Sequence, residues 1–172
     1  MKKVYPFLLV LMLLASLGCK TSSSKTTAGQ EVQFKILSSG IFESQGGMKF
    51  SNTSSPTGYS LALDNVDRFV KETKVVPARL KTTFGFFFYV SGMPSNHTGR
   101  LVYSFPPMKN PETGKVFTRI ETPFEFDASP SLYKMIYYFA ENHELVCGKW
   151  TFQVYCGDQK LAEEVFTVVK AD

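Results

Sequence analysis

The 172-residue chain carries 19 basic and 15 acidic side chains, a formal charge of +4 at pH 7, and is 44% hydrophobic and 15% aromatic. Its lysines and arginines are scattered among apolar residues rather than gathered into a stripe, which argues against the electrostatic footprint of a nucleic-acid binder. The 16 Phe, 8 Tyr and single Trp favour strands over helices, and the length suits one domain with a sizeable core.

The chain opens MKKVYPFLLVLMLLASLGC, where a Lys2-Lys3 pair, an apolar run over 4–14 and small residues before Cys19 follow the order of a secretory signal peptide. A run of about a dozen apolar residues is shorter than the ~20 a membrane-spanning helix needs. The ending Ser16-Leu17-Gly18-Cys19 resembles the lipobox of bacterial lipoproteins, with Ser16 and Leu17 in the reverse of the usual order. The resemblance implies that residues 1–18 are cleaved and that Cys19, lipidated, becomes the new N-terminus. Its acyl chains then make the membrane a partner, each buried CH₂ contributing ~0.8 kcal/mol. Lys20 follows the cysteine where an aspartate would resemble an inner-membrane retention signal, so the expected address is the bacterial cell envelope, at the outer membrane rather than the inner, with the periplasm and the cell surface both open as the face it occupies. A plain secreted protein with a cysteine at this position is the alternative. Without Lys2 and Lys3 the mature chain keeps 17 basic and 15 acidic side chains, a balance of +2.

Residues 19–30, CKTSSSKTTAGQ, are small and polar with no apolar period, the composition of a flexible tether. From residue 31 to 172 short alternating runs separated by turn signals predict a single all-β domain. Val32, Phe34 and Ile36 share one face of the first strand, and a kink precedes a short segment at Gly40-Ile41-Phe42. Residues 44–57 read as a loop from their Gly, Ser, Asn and Pro content. Tyr59, Leu61 and Leu63 alternate next, and one strand is expected over 67–74, ending near Pro77. In TFGFFFYVSG, Phe84, Phe86, Phe88 and Val90 fill one face while Phe87 and Tyr89 load the other, the pattern of a central strand. RLVYSF follows, with Pro106-Pro107 expected to stop it. NPETGK supplies a turn, and 116–122 is expected to pair across it. The run YKMIYYFA alternates at Tyr133, Met135, Tyr137 and Phe139, and 149–155 with 163–169 closes a final hairpin. Seven to nine such strands predict an immunoglobulin-like antiparallel β-sandwich, with Trp150, Phe84, Phe86 and Phe88 in its structural core.

VVPARLKTTFGFFFYVSG at 75–92, the loop with NPETGK, and GKWTFQVYCGDQKLAEEVFTV at 148–168 together resemble a bacterial family known as domain of unknown function 3859. The resemblance runs over about 32–170, with Cys147 standing where the family commonly has proline before Gly148. It implies the fold and carries no catalytic, cofactor or ligand residue onto this chain.

Chemistry-bearing motifs are few. Cys147 and Cys156 are nine residues apart along an expected strand, ~30 Å at ~3.3 Å per residue, beyond the reach of a disulfide. Only His97 and His143 are available as imidazole ligands, so no metal or other cofactor is expected. A G-x-S-x-G elbow and a phosphate-binding glycine loop are missing. Glu163 and Glu164 fall on opposite strand faces and read as surface charge. The sequons at Asn52 and Asn96 match the N-glycan pattern, a reading that a bacterial lipoprotein signal argues against. Two function classes remain open. One is a non-enzymatic binding or envelope-assembly module whose partner is a protein or a glycan, working through the loops 44–58, 91–99 and 105–114. The other is a hydrolase or redox-active protein whose site is assembled from distant residues, His97 or His143 with Asp127 or Cys147. Whether Met48, Phe50, Met93 and Met108 form an exposed patch or cap the sandwich ends is left open by the sequence.

Overall fold

The computed structural model describes residues 24–25, 31–62, 66–93 and 97–171. Cys19 and the expected signal peptide lie outside them. The elements in chain order are β1 (Ser24–Lys25), β2 (Glu31–Ser44), β3 (Met48–Ser51), β4 (Tyr59–Ala62), β5 (Val66–Glu72), β6 (Val75–Ala78), β7 (Thr83–Ser91), β8 (His97–Lys109), β9 (Val116–Phe126), β10 (Ser131–Tyr138), a 3₁₀ turn (Asn142–Glu144), β11 (Gly148–Cys156) and β12 (Gln159–Lys170). Setting aside the four pieces of two to four residues (β1, β3, β4 and β6), eight strands remain among the described residues, inside the range expected from sequence.

Two sheets form the sandwich. The first runs β1-β2-β7-β10 with β5 also paired to β2, and the second runs β6-β12-β11-β8-β9. β7 is central in the first sheet, as its two-sided apolar pattern requires: Phe84, Phe86 and Phe88 are fully buried against the second sheet, while Phe87 and Tyr89 are half-buried on the outer face. Trp150 lies at the heart of the gap between the sheets, fully buried, with ring centroids of Phe105 at 4.8 Å, Tyr137 at 4.9 Å, and Phe84 and Phe139 at 5.6 Å. Its indole N–H donates to the Val146 carbonyl at 3.1 Å, so no polar atom is stranded by the burial.

Five local expectations are corrected. β2 is one strand of 14 residues rather than two: a bulge at Leu37 takes up the kink and switches parity, so Phe34 and Ile36 face the core while Phe42 points outward to Phe69 and Phe87. The strand expected over 67–74 is β5, Val66–Glu72, but pairing does not stop near Pro77: a further strand, β6, passes through it as an edge strand that pairs parallel with β12, where a missing N–H costs no ladder bond. Pro106-Pro107 do not end β8, because the register shifts between Ser104 and Met108 and the bulge absorbs them. Residues 44–57 are not all loop, since β3 and β4 pair as a separate hairpin. Glu164 is not plain surface charge: it is opposite Phe152 in register, ion-pairs with Lys74 and accepts from Ser39 Oγ at 3.0 Å. Within the expected tether, Ser24–Lys25 pairs with Glu31 and Val32.

Gly40 and Gly85 are directly opposite each other in register and both have positive φ, 151° and 148°. A Cβ on Gly85 would come to 2.1 Å from the Met135 carbonyl oxygen, and one on Gly40 to 2.0 Å from that of Lys71. The glycine pair therefore lets β5, β2, β7 and β10 lie side by side where a side chain would force them apart.

Candidate functional site

β10 is an edge strand of the first sheet and β9 an edge strand of the second, and these two edges face each other along one side of the sandwich. At one end aromatic rings close this side. Tyr133 stacks on Phe88 at 5.4 Å, Phe88 on Phe34 at 5.0 Å, and Phe124 and Phe126 of β9 meet Tyr133 edge-on at 5.8 and 5.6 Å. The Tyr133 hydroxyl accepts from the Asp127 backbone N–H at 2.6 Å and donates to its carboxylate at 3.2 Å, which fastens the short β9–β10 connection over the stack.

At the other end a cleft of about 310 Å³ remains. Its walls are Tyr103 of β8, Ile120 and Thr122 of β9, and Ile136, Tyr137 and Tyr138 of β10, and the β3–β4 hairpin roofs it with Phe50, Asn52, Ser55, Tyr59, Ser60 and Leu61. Alternation along β10 puts Tyr137 on the inner side of the edge and Ile136 and Tyr138 on the outer side, so the cleft wraps around the strand. Tyr103 donates its hydroxyl to the Ile136 carbonyl at 3.3 Å and so caps that acceptor on the exposed edge.

Two turns hold the roof in place. Asn110, buried at the start of NPETGK, accepts from the Glu112 and Thr113 N–H groups at 2.8 and 2.9 Å, an Asx turn. Its side-chain amide reaches across to donate to the Pro56 carbonyl at 2.7 Å. His143 Nε2 donates to the same carbonyl at 3.2 Å. Nearby, Tyr59 donates to Glu141 Oε1 at 2.6 Å, and the Lys49 ammonium lies 4.1 Å from the Tyr59 ring centroid and 3.7 Å from Glu141.

Glu144 is the buried charge of the region, 3% exposed. Its Oε1 accepts from the Tyr137 hydroxyl at 2.5 Å, and Oε2 from the N–H groups of Ala140 and Glu141, both at 2.7 Å. Burial pushes its carboxyl up, and these hydrogen bonds oppose the shift without cancelling it. Burial likewise raises the Tyr137 phenol well above its ordinary range, with the Glu144 charge adding to it, and burial with the Glu141 contact raises that of Tyr59. A carboxylate with all its contacts already made is a staple for the turn from β10 into the 3₁₀ segment.

Among the described residues no hydrogen bond or ion pair joins His97 or His143 to Asp127 or Cys147. His97 opposes Phe126 in the β8–β9 ladder, next to Asp127, but the hydrogen bonds of Asp127 go to Tyr133. His143 is engaged with Pro56. Cys147 is exposed before β11, Cys156 ends that strand half-buried, and both are free thiols, with burial pushing the Cys156 thiol up. Among the described residues no three His, Cys, Asp or Glu side chains gather where a metal could bind. Met93 and Met108 are core residues at 4% and 0% exposure, whereas Met48 and Phe50 of β3 are 76% and 53% exposed.

The cleft was not foreseen from the sequence. Two signals could have led there: the alternation of MKFS and YSLA around a Pro-Thr-Gly turn, and Glu141 three residues before Glu144, the spacing of a capping box.

No curated protein matches the chain. An immunoglobulin-like protein from Pseudomonas aeruginosa, known from its crystal structure, is similar over 80% of this chain and 97% of its own length, with 26% identity and a TM-score of 0.61. The two-sheet sandwich seen here is thus immunoglobulin-like. Residues 30–168 match the model of the domain of unknown function DUF3859, and the chain belongs to that family.

Proposed function

We propose that the chain is an envelope lipoprotein, anchored through Cys19 and resting at the outer membrane, whose sandwich is a non-enzymatic binding or assembly module. The observation that carries the module reading is the roofed cleft. It is an open, tyrosine-rich concavity on a rigid scaffold, and the carboxylate that reaches into it, Glu144, is held by three structural hydrogen bonds. Next to it, β3 exposes Met48 and Phe50 together, the kind of apolar surface through which a scaffold meets a partner. The lipobox resemblance, with a polar stretch after Cys19, supports the anchoring.

The test is co-purification from detergent-solubilised envelope. The wild-type chain should retain a partner that the double variant Met48→Ser, Phe50→Ser loses, while His97→Ala keeps it. The opposite pattern would defeat the binding reading. For the anchor, Cys19→Ala should release the protein to the soluble fraction, and the intact mass of membrane-extracted wild type should include acyl chains.

A further inference from the structure

We propose that the cleft between the β9 and β10 edges is a saccharide-binding site, taking one or two sugar units of an uncharged or N-acetylated glycan beneath the β3–β4 hairpin. The inference rests on the module reading and names the ligand of its cleft.

Three observations select this chemistry. The walls alternate aromatic faces with hydroxyl and amide groups: the rings of Phe50, Tyr59 and Tyr138 stand beside Asn52, Ser60 and Thr122. A sugar has the matching surfaces, C–H faces that pack on rings and hydroxyls that both donate and accept. Among the described residues the hydroxyls of Tyr138 and Thr122 have no hydrogen-bond partner, and the Ser60 hydroxyl, which accepts from Asn52 Nδ2 at 2.7 Å, keeps its own proton to donate. At about 310 Å³ the space is at the small end of ligand sites, enough for a short saccharide segment.

The same walls disfavour the other occupants. No lysine or arginine lines the cleft and Glu144 does, so an anionic headgroup or phosphate would meet repulsion without a counter-charge. An extended peptide adding to β10 would need the free edge carbonyls, and the Ile136 carbonyl is already taken by Tyr103. On the facing edge, β9 carries Arg119, Glu121, Pro123 and Glu125, charges and a proline that discourage strand addition. An acyl chain would leave the wall hydroxyls unpaired.

Full-length protein in detergent is titrated with the trisaccharides of N-acetylglucosamine, glucose (β-1,4 and α-1,4) and mannose, read by saturation-transfer NMR and calorimetry. Binding of at least one is expected, at a dissociation constant in the micromolar to millimolar range. Tyr138→Ala and Thr122→Val should each weaken it at least tenfold and fivefold respectively, with the Trp150 emission maximum unchanged as the control for an intact core. Failure of wild type to bind any of the four overturns the proposal, as does binding that both variants leave intact. Binding of anionic-lipid vesicles or of an extended peptide, lost in the Tyr138→Ala variant and with no saccharide signal, would overturn the proposal and reassign the cleft. A lost saccharide signal beside intact, Met48- and Phe50-dependent co-purification would sink this inference and leave the module reading standing.

Discussion

The two ends of the gap between β9 and β10 are made of the same materials and come out differently. At the closed end Tyr133 is an inward ring sandwiched against Phe88 and flanked by Phe124 and Phe126, its hydroxyl tied to Asp127. At the open end Tyr103 and Tyr137, centroids 6.1 Å apart, have their hydroxyls turned to Ile136 and Glu144, and a hairpin rather than a neighbouring strand lies over them. The difference lies in the connection. Four residues, 127–130, join β9 to β10 at the closed end and force the edges together, whereas the chain leaves β10 at the open end into the 3₁₀ turn and β11. The short connection leaves Tyr133 half-buried in a closed stack, whereas Tyr103 and Tyr137, although buried against the core, border a cleft because no connection draws the edges together there.

The largest expected effects come from the core that both ends share. Trp150→Ala removes a fully buried indole in contact with four rings and should cost ~3–5 kcal/mol, measured by denaturant unfolding. A loss under 1 kcal/mol would mean that the sheets are not packed through it. Gly85→Ala should cost ~2–4 kcal/mol without touching the core, because its φ is 148° and the new Cβ would overlap the Met135 carbonyl.

Next come substitutions that tell the two ends apart. Tyr133→Phe keeps the stack and loses the Asp127 contacts, and should cost about 1 kcal/mol. Asn110→Ala should cost ~1–2 kcal/mol by stranding the Glu112 and Thr113 N–H groups, and it should also raise amide exchange in β3 and β4 by freeing the Pro56 carbonyl of one of its two donors. Faster exchange in β9 and β10 instead would show that the hairpin is not an independent roof.

The sequence made the sandwich legible because its long strands bury alternate residues. In β7 and β11 the period-2 pattern is the physical cause of the placement, so Phe84, Phe86, Phe88 and Trp150 could be read straight from it. Where ladder rules bend, local reading stopped short. A bulge restores pairing around Pro106-Pro107, and a parallel edge accepts Pro77, neither of which is visible without the partner strand. The cleft depends on contacts 54 to 87 residues apart, Asn110 and His143 to Pro56 and Tyr59 to Glu141, between residues that look like ordinary turn polarity in isolation. Local composition fixes turns, and only the fold decides which turn touches which.

The smallest effect concerns the staple that separates cleft from core. Glu144 has a folded-state carboxyl pushed above 4.5, chiefly by burial, with the Tyr137 hydroxyl, two N–H groups and the His143 charge pulling the other way. A raised acid favours the protonated fold, so its contribution is fully present below the unfolded value and is lost as pH rises through the folded one. Tyr137, also raised, follows the same sign only at alkaline pH, and so leaves the acid-to-neutral window to Glu144. Glu144→Gln keeps an acceptor for the Ala140 and Glu141 N–H groups and lets its amide donate to Tyr137, which removes the titration while leaving the staple in place. Unfolding midpoints of the two proteins should therefore converge toward pH 4 and separate toward pH 7, with the glutamine variant gaining on the wild type as the carboxyl ionises. Parallel curves across that range would show that Glu144 does not titrate differently in the folded chain, and a glutamine variant that falls behind as pH rises would show that its three donors outweigh its burial.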